Sequence, residues 1–161
     1  MTPGLDELIR DLSSEVGQLY RWVAEQAGLN QTDLFALYFI RSAEGSATPK
    51  RLGEHLGLTS GATAILLNRL EARELIRRTP HPTDRRGVLL SLGPAAAKHE
   101  FLSLRQRLIG LNADIIAELS PDEAAIVRRF ISRMLSNTRD SLRQFRVNGF
   151  VAAAEDEDAK Q

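Results

Sequence analysis

The sequence predicts a mainly α-helical domain carrying one small β-hairpin, and three observations predict it. Apolar residues recur at spacings of three and four through both ends of the chain, the period of an amphipathic helix. Between those ends, residues 48–72 divide into two short helical segments meeting at Gly57. Residues 75–92 then hold two short runs rich in Val, Ile, Leu and Thr around a loop of turn residues, the pattern of a hairpin.

Size and composition agree with a single folded domain over residues 1–150. The chain has 161 residues, 43% hydrophobic and 26% charged, values ordinary for a globular protein able to bury a core. It contains no cysteine, which excludes a disulfide scaffold, a thiolate zinc site, a nucleophilic cysteine and a thiol switch. The opening "MTPGLDELIRDL" lacks a basic and then apolar leader, and no stretch approaches the ~18 apolar residues of a membrane span. A cytoplasmic location without membrane contact is the expectation.

The first helix follows Pro3 and Gly4, with Leu5, Leu8, Ile9, Leu12, Val16, Leu19, Tyr20 and Val23 forming its stripe. It closes near Gly28. Asn30, with Asp33 three residues on, caps a second helix carrying Leu34, Leu37, Tyr38 and Ile40 to a stop at Gly45. Thr48 and Pro49 are a cap and first-turn pair, and Leu52 and Leu56 share a face. Gly57 permits a sharp reversal before Thr59 or Ser60 caps the next helix. Two short helices joined at a glycine suggest a helix-turn-helix.

In the second of these helices, Thr63, Leu66, Leu67 and Leu70 occupy the core face. Ser60, Ala64, Ile65, Asn68 and Arg69 are left outward, and the entry around Thr59, Ser60 and Gly61 is built of small residues. Such an N-terminus can approach a nucleic acid closely and offers N–H groups to phosphate.

Charge supports that direction. The chain has 21 basic and 21 acidic residues and a formal net charge of zero, yet residues 50–86 carry 8 basic and 4 acidic. A solvated charged face is the bland explanation. However, four of these arginines lie in "RRTPHPTDRRG", residues 77–87, between the two strand-like runs. A helix-turn-helix followed by a basic-tipped hairpin is a winged helix, spanning about residues 30–93, with one element suited to the major groove and the other to the minor groove.

The stretch "LTSGATAILLNRLEARELIRRTPHPTDRRGVLLSL" resembles the DNA-binding core of the MarR family of bacterial transcription regulators. The likeness rests on the small-residue helix entry, the Leu70-Glu71 pair, Leu75-Ile76 with Arg78, and Asp84-x-Arg86 leading into the second strand. The order of the remaining helices fits the family over nearly the whole chain. The resemblance implies that Arg86 enters the minor groove and that Asp84 orients it, with Arg85 and Arg77 or Arg78 near phosphates. Alternatively, Asp84 and Arg86 staple the hairpin turn. A narrow groove concentrates negative potential, which suits an arginine.

Two departures bear on this reading. Family members often place glycine after the recognition helix, where this chain has Glu74, so a left-handed cap there costs about 1 kcal/mol or the helix ends differently. Ala64 and Ile65 stand where relatives often have threonine and a polar residue. Neither side chain hydrogen-bonds, so base readout would lean on Ser60, Asn68, Arg69, contact with thymine methyls, or DNA shape at the wing.

After Pro94, the positions Phe101, Leu104, Leu108, Leu111, Ile115 and Leu119 alternate by three and four, a seam more regular than a lone surface helix requires. Ser120, Pro121 and Glu123 open a further helix with a capping box, and Val127, Phe130, Ile131, Met134, Leu142 and Phe145 continue an apolar face. These segments either close as an intrachain helical hairpin or meet another subunit. The resemblance implies the second: helices over about 4–27 and 94–147 would form a homodimer on a pseudo-palindromic site with half-sites about 34 Å apart. Residues 151–161 form an acidic tail expected to be mobile.

His55, His81 and His99 lack metal-site spacing, and no phosphate loop or nucleophile set is present. No enzyme activity, metal or cofactor is expected. His81 reads as a surface or phosphate contact. The resemblance also implies a small amphipathic or aromatic effector lined by Tyr20, Trp22, Phe35, Tyr38 and Phe39, with Arg21 and Arg41 available to an anionic group; aromatic residues at this spacing equally serve as core. Two functional readings follow. One is a dimeric, sequence-specific DNA-binding regulator, a repressor released by a ligand. The other is a winged-helix protein-interaction module in which the Ile65 face binds protein.

Overall fold

The computed structural model describes residues 3–84, 87–97, 104, 107–108 and 110–158. Two units partition at residue 108. In the first, α1 (Leu5–Gln26) begins after the extended Gly4, and α2 (Gln31–Ser42) after Asn30, whose side chain accepts the Asp33 N–H at 2.8 Å. Thr48 caps α3 (Pro49–Leu56) by accepting the Arg51 N–H at 3.3 Å. Thr59, rather than Ser60, caps α4 (Ser60–Ala72), its Oγ1 accepting the Ala62 N–H at 3.2 Å. Each cap satisfies a backbone donor that the first helical turn leaves without a partner.

Helices α1, α3 and α4 end by the same device. A residue in the left-handed region reverses the chain, and the next N–H reaches five residues back: Leu29 to Ala24 at 2.8 Å, Leu58 to Gly53 at 2.9 Å, and Leu75 to Leu70 at 3.0 Å. The reversing residue is glycine in the first two cases, but at the end of α4 it is Glu74, with φ 55°. The chain therefore keeps the left-handed cap and bears its strain. Neighbouring backbone holds the conformation: the Glu74 carbonyl accepts the Ala95 N–H at 3.1 Å, and a Cβ on Gly93 would collide with that same carbonyl.

The strands β1 (Ile76–Pro80) and β2 (Val88–Leu92) form one antiparallel hairpin, with Ile76 opposite Leu92 and Pro80 opposite Val88. Pro80 ends β1, where the donor it lacks is not required by a central ladder. Leu90 N–H donates to the Ala47 carbonyl at 2.8 Å and ties the hairpin to the connection before α3. The short helix α5 (Pro94–Ala97) follows.

Leu34, Leu37, Leu52, Leu67, Leu70, Leu75, Ile76 and Leu90 are fully buried and make one core from α2, α3, α4 and the hairpin. Burying such a side chain contributes about 1.5–3 kcal/mol each. Gly53 lets α3 and α4 close on one another, because a Cβ there would lie 2.7 Å from Thr63 Oγ1. The buried Thr63 hydroxyl is satisfied by donating to the Thr59 carbonyl at 2.9 Å.

The second unit contains α6 (Ala113–Ala117) and α7 (Pro121–Asp158). Along the seam expected after Pro94, Gly110, Leu111 and Asn112 adopt a turn; glycine and asparagine are poor helix formers that favour such a break. Phe101 lies outside the described residues. Ser120 and Glu123 form the expected capping box: Glu123 Oε2 accepts the Ser120 N–H at 2.9 Å and its hydroxyl at 2.6 Å. The hydrogen bonds from the Ser120 hydroxyl and backbone hold the Glu123 carboxyl below its ordinary value. Helix α7 extends to Asp158; alanine and glutamate near its end favour the helical state. No described helix is long and apolar enough to cross a membrane.

Candidate nucleic-acid interface

Helix α4 divides cleanly between core and solvent. Thr63, Leu66, Leu67 and Leu70 are buried, whereas Thr59, Ser60, Gly61, Ala64, Ile65 and Asn68 are exposed. The exposed residues of the helix fall at spacings of three and four, hence on one face. Ile65 is 66% exposed, an aliphatic side chain projecting from a surface otherwise made of small and polar groups.

Arg69 leaves that face. Its Nη2 donates to Asp33 Oδ1 and its Nε to Asp33 Oδ2 at 3.3 Å, a two-point pairing with a carboxylate that is 2% exposed. The hydrogen bond to Asp33 raises the Arg69 pKa above its ordinary high value, against the opposing effect of desolvation. The sequence reading placed Arg69 outward toward bases; here it instead neutralises a buried acid. Charge complementarity across the fold outweighs the helical position, because an unpaired buried carboxylate is costly.

Two further arginines have structural partners. Arg73 Nη2 donates to the Gly28 carbonyl at 3.0 Å and joins the end of α4 to the α1–α2 connection. Arg78 Nη2 donates to Asn68 Oδ1 at 2.7 Å, and its Nε lies 3.4 Å from Glu71 Oε2. The second approach is an ion pair without hydrogen-bond geometry, leaving Arg78 Nε buried and without a hydrogen bond. The choice between Arg77 and Arg78 as a solvent-facing cation thus falls on Arg77, which is exposed on the alternate position of β1.

The loop between the strands is closed by its own polar groups. His81 N–H donates to the Gly87 carbonyl and Gly87 N–H to the Asp84 carbonyl, both at 2.9 Å. His81 Nδ1 accepts the Thr83 N–H at 3.3 Å and the Asp84 N–H at 3.2 Å. His81 is therefore a turn-capping residue, half-buried and not simply a surface contact. A Cβ on Gly87 would lie 2.8 Å from His81 Cβ, so this closure requires glycine. Asp84 is exposed in the loop, while Arg85 and Arg86 lie outside the described residues.

The aromatic residues do not share one environment. Tyr20 meets Phe35 and Tyr38 edge to face, with ring centroids 5.2 and 6.4 Å apart. Tyr38 is buried, and Phe39 packs on His55 at 4.8 Å. Trp22, by contrast, is 51% exposed, and Arg21 and Arg41 are exposed. Sequence reasoning missed Asp33 as an arginine partner and Gly87 as a steric requirement. An acid immediately before the buried Leu34 was the available signal for Asp33.

Known proteins share this architecture. The family model described as MarR family matches residues 27–87, from the end of α1 through the hairpin loop. An uncharacterised HTH-type transcriptional regulator of Bacillus subtilis, YcgE, is 26% identical over 140 residues, covering 87% of this chain and 90% of the relative. The S. aureus MepR–DNA complex aligns with a TM-score of 0.64 at 21% identity, over 84% of this chain and 96% of that one. A cysteine-to-serine variant of E. coli MarR complexed with operator DNA aligns with a TM-score of 0.56 at 26% identity, over 81% and 93%. The helix-turn-helix and the hairpin thus carry the MarR family match over residues 27–87, and the chain is similar over most of its length to winged-helix regulators of that kind.

Proposed function

We propose that this protein is a homodimeric, sequence-specific DNA-binding regulator of transcription, a repressor that binds a pseudo-palindromic operator and is released by a small amphipathic or aromatic effector. The observation that carries the DNA reading is the exposed face of α4, small at Ser60, Gly61 and Ala64, beside a hairpin that presents Arg77. A face without bulk can enter a major groove, and a basic wing can follow the backbone into the adjacent minor groove. The operator complex of the E. coli relative supports the reading.

Two apolar surfaces favour a second copy of the chain. On α1, Leu5, Leu8, Leu12 and Val16 are exposed at helical spacing; on α7, so are Val127, Phe130, Ile131, Leu135, Leu142 and Phe145. Stripes of this length rarely remain in water. The exposed indole of Trp22, next to Arg21 on α1, is the feature that favours an aromatic effector on α1 and α2.

Selection of bound sequences from a random duplex pool tests the proposal. An enriched inverted repeat is the expected result, with affinity falling steeply as salt rises and at least tenfold weaker binding by Arg86→Ala. No enrichment, with salt-independent behaviour, would leave the exposed Ile65 as the mark of a protein-interaction surface.

A further inference from the structure

Asn68 stands on the exposed face of α4, one turn beyond Ala64 and Ile65, with the orientation of its amide set by β1. Arg78 Nη2 donates to Asn68 Oδ1 at 2.7 Å. A guanidinium has donors and no acceptor, so the amide must turn its oxygen to Arg78; the flipped amide would oppose N–H to N–H. Glu71 holds the same guanidinium at 3.4 Å and keeps it against the helix. The Asn68 nitrogen makes no hydrogen bond among the described residues and is left for an outside partner.

That arrangement changes what an asparagine can read. The usual contact with adenine uses both amide atoms, the oxygen accepting from N6 and the nitrogen donating to N7. With Oδ1 drawn toward a cation on β1, the nitrogen leads. Guanine offers two acceptors on its major-groove edge, N7 and O6, while adenine places a donor where guanine has O6. We propose that Arg78 makes Asn68 a donor-only base reader that selects guanine over adenine at one position of each half-site. Arg78 is in this respect a positioning residue, acting on DNA through the amide it holds.

This inference rests on the DNA-binding reading above, and one experiment separates the two. Binding-site selection is run with the full-length protein and with Asn68→Ala and Arg78→Met. Wild type should prefer guanine over adenine by about tenfold at one position per half-site. Asn68→Ala, an exposed helix substitution, should lose that preference and keep the others. Arg78→Met, with the oxygen released, should shift the same position toward adenine. An enriched site in which Asn68→Ala changes no position, or in which wild type already prefers adenine there, overturns this inference alone. A uniform loss of affinity in Arg78→Met with unchanged base preference also overturns it, since that is what a purely structural residue would give. Failure of wild type to enrich any sequence overturns both readings.

Discussion

Asp33 and Arg69 stand 36 residues apart in sequence and meet as a two-point ion pair that joins the first turn of α2 to the last turn of α4. Asp33 is buried, while the Arg69 side chain remains 43% exposed. The pair fixes one end of the helix whose opposite end presents Ser60 and Gly61.

Removing Arg69 should therefore cost more than a surface charge. Loss of one member of a fully buried pair costs about 3–5 kcal/mol, and water reaching the exposed guanidinium reduces this to roughly 2 kcal/mol. Urea unfolding at neutral pH should show that loss for Arg69→Met. The double variant Asp33→Asn, Arg69→Met should recover a substantial part of it, because no charge then remains buried. A neutral single variant would show that the pair contributes only a surface contact.

Glu74 provides a stabilising test. Its φ of 55° is the conformation that glycine adopts without a Cβ penalty, so Glu74→Gly should raise stability by about 0.5–1 kcal/mol and increase Tm. Gly57→Ala, at φ 68°, should lower stability by a similar amount. Thermal unfolding of both variants measures the difference.

The exposed stripe on α1 makes a prediction about assembly. Leu8→Glu with Leu12→Glu places charges on side chains that are 48% and 58% exposed within the chain. Helical content should be unchanged, whereas sedimentation should convert from dimer to monomer and operator affinity should fall. A variant that remains dimeric would remove α1 from the interface.

The capping box at α7 should titrate with a defined sign. The folded-state pKa of Glu123 is lowered by the Ser120 hydrogen bonds, so its stabilising contribution is present above the ordinary carboxylate value, about 4.3, and is lost as pH falls through the lowered folded value. Wild type should be more stable than Glu123→Gln at pH 7, and the gap should close on acidification below pH 4. Circular dichroism melting across that range checks it.

Much of the local structure was legible because its causes are local. Asn30, Thr48, Thr59 and Ser120 cap helices through groups three residues away, and Gly57 reverses the chain by its own backbone freedom. The turn at Gly110–Asn112 lies within the seam after Pro94, and a period of three and four in apolar residues carries no signal for it. Glu74 was a true ambiguity: its sequence disfavours the left-handed cap, and contacts with Gly93 and Ala95 decide that it is kept.

By itself the sequence determined the helices, their caps, the hairpin and the concentration of arginine around α4, since these depend on spacing and on the chemistry of near neighbours. Only the tertiary structure decided which arginines face outward. Arg69 is engaged by Asp33, Arg73 by the Gly28 carbonyl and Arg78 by Asn68 and Glu71, while Arg77 is presented to solvent. A linear count assigns every arginine the same charge. Folding distinguishes them, because an acceptor brought close from elsewhere in the chain, the buried Asp33 carboxylate above all, engages a cation that would otherwise be left for a partner.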